Sequence, residues 1–175
     1  MMRTALSQAL AQCSAILDAL ETLPAPLANS VYIDASIGRH LRHVLDHTQA
    51  LKEGLTSELV DYDLRHRGSE IETDRLVATA QFSVINLWVQ TEDLTNRPVS
   101  VVSEIDCDET HRMQFESNLH REILYVINHT IHHAAHIKLA LSHFGISLPE
   151  NIGIAPGTAS FNRTNQENES NRCAH

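Results

Sequence analysis

The sequence predicts an all-α protein: a four-helix bundle with a small β-hairpin between its third and fourth helices. Three observations predict it. Four long stretches repeat apolar residues every three or four positions, and Pro or Gly punctuates the gaps between them. One Val-rich stretch of partial alternation, ahead of the fourth, breaks the helical period. Packing four amphipathic helices along their apolar stripes gives a bundle.

The first helix is expected from about Arg3 to Thr22, where Leu6, Leu10, Cys13, Leu17 and Leu20 build one buried face and Pro24 and Pro26 end the run. A connector, LANSVYID, leads to Ser36, a residue suited to capping a helix N-terminus. The second helix then runs to about Leu59 with Ile37, Leu41, Val44, Leu51 and Leu55 in its stripe. Residues 60–75 are strongly charged and turn into a third helix that continues to about Leu94, stopped by Asn96, Arg97 and Pro98. VSVVSEID and HRMQFES flank the turn CDET as the two arms of the hairpin. The fourth helix starts near Ser117 or Asn118 and ends at Phe144-Gly145, where Gly suits a left-handed cap. A loop, ISLPENIGIAPGTASF, follows. Residues 1–161 are expected to form a single domain and the polar stretch 162–175 a disordered tail.

Composition narrows the function. The chain has 13 Lys+Arg against 22 Asp+Glu, a formal net charge of −9, which argues against nucleic acid, since a duplex needs a cationic footprint. No uninterrupted apolar window is long enough for a membrane span. Cys13, Cys107 and Cys173 are widely spaced and odd in number, so no disulfide framework is expected, and a reducing cytoplasm is the expected location. The outstanding feature is 12 His.

Seven of these fall in two groups: His40, His43 and His47 on the second helix, and His129, His132, His133 and His136 on the fourth. At about 100° per residue, His129 and His133 share one helix flank with His136 beside them, and His40, His43 and His47 edge the apolar stripe of the second helix. Both groups therefore border a seam between packed helices. Neutral imidazole is the commonest nitrogen ligand for a divalent metal, and two His one turn apart grip an ion from one side. A third from a facing helix leaves a coordination position open, as catalytic sites do. Spacing alone does not choose between His43 and His47 as that third group.

These residues resemble the DinB-like, or YfiT-like, superfamily of small bacterial four-helix bundles with a three-His metal site, over roughly residues 1–145. There a Ser or Thr opens the second helix and the first ligand follows seven residues later; here Ser36 leads to His43. The other two ligands form H-x-x-x-H on the fourth helix, here His129 and His133 within Asn128-His129 to His132-His133. Where many relatives continue with Arg-Gly-Gln, this chain has Ala134, Ala135 and His136. The resemblance thus implies His43, His129 and His133 as metal ligands, with His47 in reserve. His47, His136 and Glu122 are candidates for holding a ligand imidazole in place from behind, although Glu122 equally suits a first-turn helix acid.

The resemblance further implies a metal-dependent transferase or hydrolase acting on a small molecule, with a low-molecular-weight thiol as a candidate cofactor. The alternative is a non-catalytic metal-binding or stress-related scaffold. Zinc is the first choice from the ligand type, with nickel and iron as the other imidazole-compatible ions. A homodimer through a helix face is compatible with such a bundle. In the charged connector, Arg65, Arg67 and Arg75 are either a clamp for a substrate carboxylate or a solvated loop whose charges pair with one another. Trp88 and Tyr125 are expected in the core.

Overall fold

The computed structural model describes the backbone of residues 1–173 and the side chains of residues 1–166. Among these the protein is mainly helical with a small three-stranded sheet. The four long helices of the sequence reading are α1 (Met2–Glu21), α3 (Ile37–Ser57), α4 (Arg75–Thr91) and α5 (Leu119–His143). Two further helices occur, α2 (Ala25–Asp34) and α6 (Pro156–Cys173). The strands are β1 (Leu59–Asp61), β2 (Pro98–Glu104) and β3 (Arg112–Asn118), and one 3-10 turn spans Glu70–Glu72.

α1 packs against α4 and α5, and α3 packs against the same two helices. Their shared interior holds Leu6, Leu10, Ile16, Leu41, Leu51, Phe82, Ile123 and Ile137, all essentially inaccessible to solvent. Removing this much aliphatic and aromatic surface from water is the main term holding the four together. Polar ends fix their placement. Asp74 caps α4 by accepting from the Leu76 N–H at 2.8 Å, and Asn118 caps α5 by accepting from the Arg121 N–H at 3.1 Å. Arg3 on α1 donates to the last carbonyls of α4, including Glu92 at 2.7 Å.

The expected hairpin is present. β2 and β3 pair antiparallel from Pro98 opposite Asn118 to Glu104 opposite Arg112. The sheet is larger than expected, because β1 adds a parallel edge with Val60 opposite Val101. β1 directly follows α3, and Gly54 makes that approach feasible: a Cβ there would lie 2.5 Å from the Val60 side chain. At the other end of α3, a Cβ on Gly38 would lie 2.2 Å from the Glu72 carbonyl oxygen. Thus α3 is pinned closely at both ends.

Three expectations need correction. LANSVYID is not a connector but most of α2, which buries Ala28, Val31 and Tyr32; Pro24 and Pro26 sit at its start, where a missing N–H costs nothing. Ser36 does not cap α3 with its hydroxyl. It takes a left-handed conformation, φ 56°, and its carbonyl accepts from the His40 N–H at 3.2 Å. From Pro156 the chain is helical to Cys173 rather than irregular, so part of the stretch expected as a tail lies in α6; residues 174 and 175 fall outside the described residues. The segment before α6 is anchored: the Lys138 ammonium donates to the carbonyls of Pro149, Glu150 and Ile152, and the Gly153 N–H donates to Gln12.

Cys13 is buried, which pushes its thiol up to about 12, and Cys107 is exposed; Cys173 lies beyond the described side chains. No helix among the described residues is long and apolar enough to cross a membrane.

A candidate metal centre

The two histidine groups meet across the α3–α5 seam. One nitrogen from each of His43, His129 and His133 lies within 4.8 Å of the others, and among the described residues this is the group arranged to hold an ion. His129 and His133 are one turn apart on α5, and their Nε2 atoms are 3.1 Å apart. Bonds of 2.0–2.1 Å in a tetrahedral site place ligand nitrogens about 3.3 Å apart, so this spacing already matches one edge of such a site. His43 faces the pair from α3, its ring centroid 4.8 Å from that of His129 and 4.7 Å from that of His133.

Burial and mutual repulsion keep the rings neutral, as a metal site requires. Desolvation is the largest influence throughout, followed by neighbouring cationic groups. It pushes His43 down to about 3, with Arg65 as the next cause, and His133 down to about 3, with His129 next. His129 falls to about 4, with His132 next.

Around these three, the structure distributes roles that spacing did not. His40 is the residue the sequence reading grouped but left without a part: its Nδ1 is 2.8 Å from His133 Nδ1. With His133 Nδ1 as the donor, this contact leaves His133 Nε2 unprotonated and free toward His129, the tautomer a metal ligand needs. His47 is 2% exposed and packs between His43 and His129 at centroid distances of 4.5 and 4.2 Å. Neither of its ring nitrogens is bonded to another protein group. Burial also pushes His47 down to about 3. His136 is exposed and stacks on His40 at 5.8 Å, and His132, also exposed, packs on His136.

Glu122 does not support a ligand imidazole. It is fully buried, accepts from the Tyr62 hydroxyl at 2.8 Å and from Ser117, and pairs with Arg121 at 3.0 Å. The reason is distance along α5: seven residues before His129 is about 10 Å of helix rise. Tyr62 in turn lies against His47, with centroids 5.0 Å apart. Tyr125, expected in the core, is half-buried and stacks on His129 at 5.5 Å, 24° from parallel; Trp88 is buried as expected. Tyr62 and Tyr125 also wall a cavity of about 420 Å³ beneath the sheet, with Val101, Phe115 and Ser117. A larger cleft of about 660 Å³ lies between α1, α5 and α6, and no histidine lines it.

The three connector arginines separate. Arg65 turns inward, and its Nη1 donates to the His43 ring while its Nε donates to the Tyr62 carbonyl at 3.0 Å. Arg75 binds Glu21 and Asn29 instead, and Arg67 is exposed. The acids of the connector are paired elsewhere: Asp61 and Asp63 with Arg112 of β3, and Glu72 with Arg42 at 2.7 Å. His66, exposed, binds Asp46 at 2.8 Å.

No family model matches this chain, and no solved structure matches it. Among curated proteins, it is 28% identical over 141 residues to "FK506-binding protein 5" of Rhizopus delemar, a match covering 79% of this chain and 37% of that protein. The chain thus spans little more than a third of the relative it matches.

Proposed function

We propose that this chain is a DinB-like four-helix bundle that holds one divalent ion on His43, His129 and His133 and acts on a small molecule as a metal-dependent transferase or hydrolase. The observation that carries the reading is the convergence of three neutral imidazole nitrogens within 4.8 Å from two helices, Ile37–Ser57 and Leu119–His143, that are far apart in the chain. The mutual packing of α1, α3, α4 and α5 supports the bundle. The name of the Rhizopus delemar protein speaks of FK506 binding, but most of that protein lies outside the shared segment, and the donor set rather than the name supports the present reading.

Zinc is the first candidate, with nickel and iron as alternatives, because nitrogen ligands serve all three. An ion with an open position lowers the pKa of a bound water or thiol and polarises a carbonyl, which suits a low-molecular-weight thiol as co-substrate. The chain's own part is positioning. α3 and α5 hold the three nitrogens, His40 fixes His133, and Tyr125 stacks on His129. Metal analysis of purified protein is expected to give about one ion per chain, with His43→Ala and His133→Ala each stripping it. Full metal content in both variants would remove the proposed ligands.

His47 favours a second reading, a non-catalytic module. Its unbonded nitrogens beside His43 and His129 make it the natural fourth ligand of a closed site. Absorption spectra of cobalt-substituted protein separate the two: a position that exchanges with added thiol fits the enzyme, and four fixed protein ligands fit the module. A screen of metal-loaded protein with thiols and a chlorinated or epoxide electrophile then addresses the reaction.

A further inference from the structure

Charge at the histidine site points beyond the ligand set. The three candidate ligands are neutral, so a divalent ion among them brings its full charge into the seam. Arg65 adds another cation at the same pole, its Nη1 lying against both His43 nitrogens and 3.1 Å from Nε2. Among the described residues no carboxylate makes a direct ion pair with Arg65; the acid that acts on it from a distance is Asp46. The two buried acids of the neighbourhood are already engaged. Asp46 is bound by Arg42 and His66, and Glu122 by Arg121, Tyr62 and Ser117. Nor is Arg65 loose: its Nε is tied to the Tyr62 carbonyl, which holds the guanidinium at the rim of the site. A half-buried guanidinium beside a candidate cation site, whose one nearby acid is already bound by Arg42 and His66, is an arrangement that an anionic ligand completes.

We infer that Arg65 and the ion held by His43, His129 and His133 together bind the carboxylate of a small organic acid. This deepens the metal-dependent reading and rests on it. A carboxylate has two oxygens with acceptor directions on both, so one oxygen faces the ion while the other meets the guanidinium fork. A thiolate offers a single sulfur, which the ion alone engages. Arg rather than Lys matters for this pairing, because the fork is planar and pre-organised where an ammonium is a point charge. Tyr125, stacked on His129, adds an aromatic surface beside the site for the organic part of the acid.

The test uses the full chain loaded with cobalt(II), with acetate as the carboxylate probe and 2-mercaptoethanol as the thiol probe, each titrated by visible absorption. Arg65→Gln is expected to take up one cobalt per chain, as the unaltered protein does, and to bind acetate at least fivefold more weakly. Arg65→Lys should fall between the two, and mercaptoethanol affinity should change less than acetate affinity. Equal cobalt uptake with acetate affinity reduced less than fivefold in Arg65→Gln overturns the inference and leaves the metal site standing. An equal loss for both probes also overturns it, since Arg65 would then act as a general positive charge. Failure of the unaltered protein to take up cobalt removes the metal reading and this inference with it.

Discussion

Replacing His47 with Phe tests what its two unbonded nitrogens do. The ring is 2% exposed, packs among His43, His129 and Tyr62, and is neutral at pH 7 because burial pushes it down to about 3. A buried polar atom without a partner costs about 1–3 kcal/mol, and His47 carries two. Phe keeps a flat ring and removes both, while its slightly larger ring costs about 1 kcal/mol in packing. In the presence of chelator, His47→Phe is therefore expected to be more stable than the parent by at least about 1 kcal/mol, or roughly 2 °C or more in Tm for a chain of this size. The assay is urea denaturation of the metal-free protein followed by circular dichroism, repeated with zinc. Zinc at a hundredfold excess over Kd adds about 2.7 kcal/mol to any protein that binds it only when folded. If His43, His129 and His133 suffice, His47→Phe retains that increment. A metal-free variant less stable than the parent by more than 1 kcal/mol would refute the reasoning about the orphaned nitrogens. Loss of the zinc increment with the metal-free gain intact would move His47 into the ligand set and favour the closed module.

Two further outcomes follow from the same coordinates. Folded His43, His47, His129 and His133 titrate near 3–4, below the ordinary value near 6.5 that they regain on unfolding, so between these limits the unfolded chain binds more protons. Stability of the metal-free protein is thus expected to be full above about pH 7 and to fall as pH drops through 6 and 5; a urea midpoint at pH 5 equal to or above that at pH 7 would contradict the buried, neutral cluster. Gly38→Ala places a Cβ 2.2 Å from the Glu72 carbonyl oxygen, which must displace α3 or the 3-10 turn and is expected to cost about 1–3 kcal/mol by urea denaturation. Gly157→Ala, whose added Cβ meets nothing within 4 Å, serves as the control and should stay within about 0.5 kcal/mol of the parent.

What the sequence disclosed tracks how local each cause was. The four long helices were legible because each carries an apolar stripe that it must bury, and the hairpin because Val99 and Val101 alternate with polar neighbours. α2 was hidden by Pro24 and Pro26, which read as a stop after α1 although they equally open a new helix. β1 has only three residues and exists through its pairing with β2, so no local pattern announced it. α6 has no apolar stripe to betray it. At the site, helix periodicity grouped seven imidazoles on two helices and set both groups at the border of an apolar stripe. It left His40 without a partner, because the 2.8 Å contact to His133 depends on how α3 and α5 are rotated against each other. Arg65 was one of three indistinguishable arginines until the connector's path brought it to His43 and left Arg75 beside Glu21.

Seven imidazoles in one seam do not all serve one ion, and their burial sorts them. His132 and His136 are exposed, and His136 stacks on His40, whose own ring is pushed down from the ordinary value first by desolvation and then by these two. His132 packs on the rings of His129 and His133 from outside, at centroid distances of 6.3 and 5.4 Å. His43, His129 and His133 are intermediate in burial, which suits ligands: shielded enough to stay neutral, open enough to admit an ion and a small molecule. His47 alone is fully sequestered, on the side toward Tyr62 and Glu122 and the cavity beneath the sheet. The seam therefore runs from exposed imidazoles at its rim, past three half-buried donors with Arg65 against His43, to the sequestered His47 at its base. On the proposed reading, Arg65 at that position favours a ligand that carries a negative group to the ion.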